Sequence, residues 1–368
     1  MFTIIKEDTV TKARLGIFKT PHGSVNTPAF FPVATQAAVK GLTTRELDEI
    51  GIEGLLVNAY HLYLRPGVDV IRNAGGLHRF MGFDKTIITD SGGYQIFSLE
   101  PFRNVTDEGV AFQSHIDGKT FFLTPESVMG VQQALGSDVA VPLDECVKYP
   151  ASYEVAEKAC TRTVCWAQKS KTFFDREARG QAFFAIVQGA TFADLRARCL
   201  EALLSLSPQG ICIGGLSVGE PEDLRYNMLS LINSQLNGTF LRYFMGYGMP
   251  RDILEAVSLG TDLFDCVVPT RLARTGTVFT WEGKLVVRNS PYIDDHRPID
   301  NQCSCYVCKK FSRAYVRHLV NVNEMLAAQL LSYHNVFWYK MFMDRIKDAI
   351  AQDRFAEFKK EFLSRYKE

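Results

Sequence analysis

The sequence predicts a (β/α)8 barrel, also called a TIM barrel, followed by a smaller C-terminal subdomain. Three observations support this: short apolar runs recur along the chain, the intervals between them carry helical spacing, and the composition changes after residue 288. Near-continuous apolar runs are typical of parallel strands covered on both faces, and their alternation with helices favours a barrel. The eight runs span residues 28–35, 54–60, 86–93, 138–145, 182–189, 210–216, 241–248 and 263–270.

The intervals between the runs predict the helices of the barrel. Helical spacing of apolar residues is clearest in 152–174, 191–206 and 251–260. A doubly wound open sheet has the same alternation and is the alternative fold. With 368 residues, of which 46% are hydrophobic, the chain is long enough for one large core and an appendage.

Charge and cysteine usage limit the class of protein. Lys+Arg and Asp+Glu both number 41, which excludes a protein that coats polyanions nonspecifically but allows a local basic face. Six of the nine cysteines lie singly in apolar or helical stretches, as reduced cytosolic thiols do. The first residues show no targeting signal and no run approaches 18 apolar residues, so we expect a soluble, cytoplasmic protein without a membrane partner.

Polar side chains mark the ends of five predicted strands. They are Asn58, Asp90, Asp144, Gln188 and Asp265. The carboxyl ends of barrel strands form the face on which barrel enzymes assemble their active sites. A single aspartate in an apolar run is more often a structural hydrogen-bond acceptor or a helix cap, but three at equivalent strand ends indicate a catalytic face.

A compact cysteine motif predicts a metal site near the C-terminus. Cys303, Cys305 and Cys308 offer three thiolates within one turn, a set that suits tetrahedral Zn²⁺. His318 and His334 are candidates for the fourth ligand, and we prefer His334 because it lies on a predicted helix that can dock on the turn. Four protein ligands would make the zinc structural, whereas the alternative is three unrelated thiols. Five other histidines are expected to be ordinary loop or core residues: His22, His61, His78, His115 and His296.

The division that follows is a catalytic barrel over residues 1–288 and a zinc-binding subdomain with C-terminal helices over 289–368. Residues 289–302 are polar and contain proline, as a connection would. Residues 301–368 hold 12 Lys+Arg against 7 Asp+Glu, an excess of +5 in a neutral chain. The basic charge is therefore concentrated at one end.

Seven short signatures, in order and ending with the cysteine motif, resemble the tRNA-guanine transglycosylase family from about Val10 to the C-terminus. They are TDSGGYQIFSL (89–99), LDEC (143–146), IVQG (186–189), GGLSVGE (214–220), YFMGYG (243–248), FDCVVPTR (264–271) and Cys303/Cys305/Cys308/His334. The resemblance implies a barrel with a structural zinc subdomain. It also implies exchange of the wobble guanine of GUN-anticodon tRNAs for a 7-deazaguanine on the way to queuosine.

The resemblance assigns roles to two aspartates. Asp265 matches the family's nucleophile, which attacks C1′ of the target ribose, expels guanine and holds the tRNA covalently. Asp90 matches the general acid/base that takes a proton from the incoming base so that its N9 can attack. The chemistry parallels retaining glycoside hydrolysis and needs no redox or nucleotide cofactor.

The other strand ends are expected to bind the base. By resemblance, Asp144 accepts hydrogen bonds from the guanine-like edge, while Gln188 and the Gly215 N–H donate to O6. Tyr94 is placed to stack on the base, since neighbouring glycines allow a close approach. The full substrate-binding set is Ser91, Gly92, Gly93, Tyr94, Asp144, Cys146, Gln188, Gly215, Leu216, Val218 and Met245.

The pocket wall predicts which base enters. Cys146 and Val218 stand where bacterial members have Cys and Val, which favours preQ1, the small aminomethyl base, over the bulkier queuine. The Leu216 carbonyl would then accept from the aminomethyl ammonium. Ser217 replaces an Ala that is common in the family, a minor departure.

Two loops and the C-terminal region are expected to contact tRNA and a second subunit. The residues matching the family's RNA-binding loops are Gly246, Tyr247, Gly248, Met249, Pro250, Arg251, Asp252, Thr270, Arg271, Leu272, Ala273 and Arg274. Met249 stands where some members have Lys, so one phosphate contact is expected to be missing. Bacterial members are homodimers through the zinc-site region, where Phe311, Tyr315 and His318 fall and Phe311 replaces a Trp.

Three other functions compete with this interpretation. A transglycosylase of the same fold could accept queuine directly. A non-catalytic tRNA-binding subunit is disfavoured because Asp90 and Asp265 are both present. A zinc-dependent barrel hydrolase would need histidine pairs at strand ends to hold a catalytic metal, and the predicted strands supply no His-x-His.

Overall fold

Eight parallel strands of the described residues form a closed barrel, which confirms the predicted fold class. The computed structural model describes residues 1–98, 103–177 and 180–367; Leu99, the last residue of the TDSGGYQIFSL segment, and Glu368 lie outside this part. The strands are β1 (Phe2–Glu7), β2 (Arg14–Thr20), β3 (Gly23–Thr27), β4 (Ala29–Ala34), β5 (Gly54–Asn58), β6 (Thr86–Asp90), β7 (Arg103–Val105), β8 (Val110–Gln113), β9 (Thr120–Leu123), β10 (Val139–Ala140), β11 (Ala182–Val187), β12 (Gly210–Ile213), β13 (Leu241–Phe244), β14 (Leu263–Cys266), β15 (Thr277–Thr280) and β16 (Gly283–Val286).

The barrel closes in the order β4–β5–β6–β10–β11–β12–β13–β14, with β14 pairing back onto β4. Each of the eight predicted apolar runs contains one of these strands. The register of β14 on β4 places Asp265 opposite Phe31, and that of β5 on β6 places Asn58 opposite Asp90. The carboxyl ends of the strands therefore meet at one face of the barrel.

Helices surround the barrel and form the C-terminal region. The predicted helices at 152–174, 191–206 and 251–260 are confirmed as α7, α8 and α10. The helices are α1 (Thr44–Ile50), α2 (Ala59–Leu64), α3 (Val68–Asn73), α4 (Leu77–Met81), α5 (Gly93–Phe97), α6 (Pro125–Leu135), α7 (Tyr153–Glu177), α8 (Ala193–Leu204), α9 (Glu222–Gln235), α10 (Pro250–Ser258), α11 (Val268–Arg274), α12 (Tyr306–Lys310), α13 (Arg313–Asn321), α14 (Met325–Ala351) and α15 (Phe355–Arg365). None of the helices in the described ranges combines the length and apolarity needed to cross a bilayer.

Three small antiparallel sheets were not predicted. Strands β1–β3 form one sheet, β7–β9 a second, inserted after β6, and β15–β16 a hairpin after α11. The β2–β3 hairpin is tied to the barrel through a hydrogen bond between the hydroxyls of Thr20 and Thr86, 2.9 Å apart. Because Thr86 begins β6, this hairpin lies at the amino ends of the strands, away from the face that carries Asp90.

The long helix α14 joins the C-terminal region to the barrel. Trp338, Tyr339 and Phe342 of α14 are buried in the same hydrophobic cluster as barrel and helix residues. The side-chain amide of Asn335 donates to the carbonyl of Pro269, 2.8 Å away, at the start of α11. The predicted domain boundary between residues 288 and 289 stays a prediction. Helix α14 follows this boundary in sequence and packs against the barrel.

Candidate active site

A cavity of about 470 Å³ opens at the carboxyl ends of the barrel strands. Its position agrees with the catalytic face of this fold. The structure brings both predicted catalytic aspartates and most of the predicted base-binding residues to its wall. Those lining it are Asp90, Ser91, Gly93, Tyr94, Asp144, Cys146, Gln188, Gly215, Leu216, Val218, Met245 and Asp265.

Asp265 lies near the end of β14 with one carboxylate oxygen fixed. Its Oδ1 accepts hydrogen bonds from the Tyr243 hydroxyl at 2.6 Å and from the Gly246 N–H at 2.9 Å. No described residue donates to Oδ2. Burial raises the pKa of Asp265, while the Gly246 and Tyr243 bonds oppose that rise. The side chain therefore presents one free oxygen to the cavity in a fixed orientation.

Asp90 ends β6 and is held by three donors. Its Oδ1 accepts from the Ala59 N–H at 3.1 Å, and its Oδ2 accepts from the side-chain amides of Asn58 and of Gln95, the latter at 3.2 Å. Burial raises the pKa of Asp90 to about 7, the hydrogen bond from Asn58 opposes the rise, and the negative charge of Asp265 adds to it. A carboxyl with a pKa near neutrality is suited to exchange protons.

Asp144 and Gln188 contact each other across the base-binding part of the cavity. The Gln188 Nε2 donates to the Asp144 Oδ2 at 2.6 Å, and the Ser91 hydroxyl donates to Oδ1 at 3.4 Å. Burial raises the pKa of Asp144 to about 6 against these hydrogen bonds. An acceptor and an amide donor thus stand side by side, as recognition of a base edge with adjacent N–H and C=O groups requires.

The glycines after Asp90 allow close packing beneath the cavity. A Cβ on Gly93 would lie 2.5 Å from the Asp144 Oδ1, and one on Gly92, which has a φ of +80°, would lie 2.6 Å from the Tyr60 Cβ. Gly92 does not line the cavity itself, so its part is to let the loop turn. Tyr94 is 59% exposed at the rim, where its ring is free to meet a flat ligand.

Glu220 organises the loop after β12 and was not singled out from the sequence. It is buried, and its carboxylate accepts from the N–H groups of Ser217 at 2.6 Å and of Val218 at 2.9 Å. In a planar trans peptide the carbonyl points opposite to the N–H. The Leu216 carbonyl therefore points away from Glu220, and Leu216 itself lines the cavity. A carboxylate at the end of the glycine-rich segment 214–220 is the signal that could have revealed it.

The thiol of Cys146 forms a neutral part of the wall. Burial raises its pKa to about 12, so it is protonated at neutral pH. Its Sγ lies 3.8 Å from the carbonyl of Val147. It therefore acts in the wall as a small, weakly polar side chain.

The predicted RNA-binding segments flank the cavity but present few side chains to solvent. Arg271 is exposed and lines the cavity, and Arg274 is exposed outside it. The buried side chains in the two segments are those of Tyr247, Pro250, Asp252, Thr270 and Ala273. The members that do not line the cavity are Pro250, Arg251, Thr270, Leu272, Ala273 and Arg274.

The structure brings His334, rather than the exposed His318, to the three cysteines. The Nδ1 of His334 lies 3.8, 3.5 and 3.3 Å from the Sγ atoms of Cys303, Cys305 and Cys308. A tetrahedral Zn²⁺ with ordinary bond lengths separates sulfur and nitrogen ligands by about 3.6 Å. The His334 Nε2 lies 2.8 Å from the Phe279 carbonyl, which fixes the tautomer that leaves Nδ1 for a metal. The four residues therefore fit a structural zinc ion.

A second group of possible ligands lies at the amino ends of the strands. His22 Nδ1 and His78 Nε2 lie 2.8 and 3.2 Å from the two oxygens of the buried Asp138. The imidazole rings stack with their centroids 3.5 Å apart, so their in-plane lone pairs do not converge on one point. His22 stands at the turn of the β2–β3 hairpin, so its contact with Asp138 ties the hairpin to the barrel.

Aromatic residues near the cysteine turn form a partly exposed surface. The rings of Phe311 and Tyr315 stack with centroids 5.3 Å apart, and Tyr315 and His318 are exposed. These are the residues expected at a subunit interface, and the interface stays a prediction.

The fold and the site define a class: a (β/α)8-barrel enzyme with carboxylates at the carboxyl ends of its strands and a closed Cys3His site. The particular family follows from comparison with known proteins. The model of the queuine tRNA-ribosyltransferase family matches residues 8–368, so the chain belongs to that family, which confirms the resemblance to tRNA-guanine transglycosylases.

Relatives extend over nearly the whole chain. The queuine tRNA-ribosyltransferases of Caldanaerobacter subterraneus subsp. tengcongensis and Thermoanaerobacter pseudethanolicus are each 51% identical over 365 residues, covering 99% of this chain and 97% of the relative. The enzyme of that name from Pelotomaculum thermopropionicum is also 51% identical over 365 residues and is covered over 98% of its length.

Proposed function

We propose that the protein exchanges the wobble guanine of tRNAs with a GUN anticodon, those for Asp, Asn, His and Tyr, for preQ1 in queuosine biosynthesis. The observation that carries the proposal is the pair of buried carboxylates, Asp90 and Asp265, that line one cavity from two strands of the barrel. The reaction is a double displacement through a covalent intermediate between the tRNA and Asp265.

The first displacement uses the free oxygen of Asp265. Its Oδ2 attacks C1′ of the ribose and the bond from C1′ to guanine N9 breaks, so guanine leaves with the bonding electrons and takes a proton on N9 from the Asp90 carboxyl. The Tyr243 hydroxyl and the Gly246 N–H stay on Oδ1 and keep the carboxylate aimed at C1′. The nucleotide must leave the anticodon stack to bring C1′ within reach.

The second displacement uses Asp90 as the base. The incoming base carries a proton on N9, and the Asp90 carboxylate, whose pKa is raised by burial, can take it. N9 then attacks C1′, the ester bond to Asp265 breaks, and the carboxylate is restored. Because Asp265 remains esterified until this step, its charge no longer raises the pKa of Asp90 while the intermediate exists.

Base recognition is assigned to Asp144, Gln188 and Gly215. The Asp144 carboxylate would accept from the N1–H and the exocyclic amine, while the amide of Gln188 and the Gly215 N–H would donate to O6. The amide of Gln188 donates to Asp144 in the structure, and the base edge would take the place of that contact. This edge is common to guanine and to its replacement.

The choice of incoming base is assigned to the other wall. Leu216, Cys146 and Val218 line the cavity; the Leu216 carbonyl would accept from an alkylammonium, and the side chains of Cys146 and Val218 would limit the room for a larger substituent. These features support preQ1. Queuine is the second candidate, because the named relatives are queuine tRNA-ribosyltransferases.

Zinc, tRNA and a second subunit complete the proposal. One Zn²⁺ ion held by Cys303, Cys305, Cys308 and His334 would fix the C-terminal region and leave no open position for catalysis. Arg271 and Arg274, with the basic C-terminal region, would supply contacts to the tRNA phosphates. A cytoplasmic homodimer through the surface of Phe311, Tyr315 and His318 is proposed on the family resemblance.

The test offers labelled guanine, preQ1 and queuine side by side to one GUN-anticodon tRNA. We expect guanine and preQ1 to enter the tRNA and queuine to enter much more slowly. A preference for queuine would contradict the proposed pocket, and incorporation of none of the bases would contradict the function. Asp265→Asn serves as the control that removes the nucleophile.

A further inference from the structure

The guanidinium of Arg225 joins two neighbouring loops that line the base cavity. Arg225 lies on α9, and its Nε donates to the Glu220 Oε1 at 2.8 Å, while its Nη1 donates to the Asp252 Oδ1 at 3.4 Å. Its charged carbon lies 4.9 Å from the centre of the Tyr247 ring. Arg225 itself does not line the cavity, so it would act through these neighbours.

The Arg225 guanidinium stabilises the ionised form of the Glu220 carboxylate. The side chain of Glu220 is fully buried, and burial alone would raise its pKa; Arg225 and the backbone N–H groups hold the pKa below its ordinary value. The same ionised carboxylate accepts from the N–H groups of Ser217 and Val218. Loss of Arg225 leaves a buried carboxylate without its cationic partner, which favours its protonation or movement.

Protonation or movement of Glu220 would change the orientation of the Leu216 carbonyl. The peptide between Leu216 and Ser217 is oriented by the hydrogen bond from the Ser217 N–H to Glu220, 2.6 Å long. Ser217 has a φ of +70°, an unfavourable conformation for a residue with a side chain, so the bond to Glu220 offsets local strain. Without it the peptide can turn, and the carbonyl no longer points away from Glu220.

The nucleophile is held separately. The donors to Asp265 are Tyr243 and Gly246, so Arg225 makes no bond to the nucleophile, and Asp252 also accepts from the Tyr226 hydroxyl at 2.5 Å. The predicted effect of removing Arg225 is therefore selective, acting on the carbonyl that meets the incoming base rather than on the reacting carboxylates.

We propose that Arg225 is a positioning residue that fixes the Leu216 carbonyl towards the cavity and so sets the preference for an incoming base that carries an alkylammonium group over guanine. This inference rests on the proposed function, in which preQ1 carries that ammonium. Guanine has no group at this position, so its binding does not need the carbonyl.

The test compares KM for preQ1 and for guanine in wild type, Arg225→Met and Arg225→Lys, on the same tRNA. Arg225→Met is expected to raise KM for preQ1 by about 10-fold or more, the effect of one hydrogen bond to a charged group, with KM for guanine within about 3-fold. Arg225→Lys keeps a cation beside Glu220 and is expected to restore part of the preference. If Arg225→Met does not fold, Arg225→Lys decides the same comparison.

Arg313→Lys is a matched control. The Arg313 side chain is 14% exposed, against 13% for Arg225, pairs with Asp295 at 3.1 Å and lies over the ring of Tyr292. It is expected to leave the ratio of the two KM values unchanged. Equal changes in both KM values for the Arg225 variants, or no change in either, would overturn the inference. Failure of the wild type to incorporate preQ1 would overturn the proposed base as well, whereas incorporation with an unaltered ratio overturns the role of Arg225 alone.

Discussion

Replacing Asp90 with Asn is expected to stabilise the protein at alkaline pH while removing its activity. The wild-type carboxyl is buried beside Asp265, and its pKa of about 7 in the folded protein exceeds the ordinary value of 3.8. Between these values the folded protein binds a proton that the unfolded chain releases. The contribution of this carboxyl to the free energy of unfolding is therefore fully present below about pH 4 and is lost as the pH rises through about 7.

The magnitude follows from the two pKa values. A pKa raised from 3.8 to about 7 corresponds to a loss of about 4 kcal/mol once the group is fully ionised. At pH 5 about 1.7 kcal/mol of that loss is already present, so about 2.5 kcal/mol develops between pH 5 and pH 8. An Asn side chain resembles the protonated carboxyl in shape and does not titrate. The free energy of unfolding of Asp90→Asn, minus that of wild type, should therefore rise by about 2.5 kcal/mol over this range.

Urea unfolding of both proteins at pH 5 and pH 8, followed by circular dichroism, measures this difference, and titrations of groups that do not interact with Asp90 cancel. Asp138→Asn is the control with the opposite sign. Burial raises the pKa of Asp138, but the hydrogen bonds from His78 and His22 hold it below its ordinary value overall. Asp138→Asn should therefore be destabilising at pH 8 and less so in acid. A constant difference between Asp90→Asn and wild type at both pH values would refute the assigned burial and charge of Asp90.

Three further changes test other parts of the site. Tyr243→Phe removes one of the two donors to Asp265 and should lower the rate of guanine exchange about 10-fold, and an unchanged single-turnover rate would contradict the holding role of the hydroxyl. Asp144→Asn replaces a double acceptor by an amide and should raise KM for guanine by about 10- to 100-fold, with a smaller change in kcat; an unaltered KM would remove Asp144 from base recognition. Cys308→Ser should release zinc and lower Tm by roughly 10 °C, as measured by metal analysis and calorimetry. The exposed Cys165→Ser should change neither quantity, and a Cys308→Ser protein that keeps its zinc and its Tm would contradict the ligand assignment.

The barrel could be predicted because its strands are buried on both faces. A run such as residues 182–189 has no charged side chain and is expected to be buried on both faces. Its strand, β11, was therefore predictable. The three small antiparallel sheets are different. Strands β1 and β3 are short, and charged or exposed residues alternate in them, as they do in many loops. Their pairing depends on the surface against which they pack, and a local sequence pattern does not reveal that surface.

The aspartates show that a sequence pattern can locate candidate residues without assigning their roles. Asp138 and Asp262 also adjoin apolar runs, yet both lie at the amino ends of strands and bind structural partners; Asp262 pairs with Arg14 at 2.6 Å. Asp90 and Asp265 lie towards the carboxyl ends, where the cavity opens. Position within the run separates the two kinds, but only the family resemblance supplied the roles of nucleophile and acid/base.

Glu220 and Arg225 were not predicted as parts of the site. Each is an ordinary charged residue in sequence, and the contact of Arg225 with Tyr247 arises only when α9 packs beside the loop after β13. The choice between His318 and His334 was open for a related reason, because spacing permits both. Helix α14 settles it by placing His334 against the cysteine turn and the Phe279 carbonyl.

If Asp265 forms a covalent bond to the tRNA, the intermediate can be trapped on the protein. Wild-type protein and Asp265→Asn would be incubated with a GUN-anticodon tRNA without an incoming base, denatured, and separated on a denaturing gel. A band that contains both protein and tRNA is expected for wild type, with the modified peptide mapping to Asp265, and none is expected for Asp265→Asn. An adduct of equal yield in Asp265→Asn, or one attached to Asp90, would contradict the assignment.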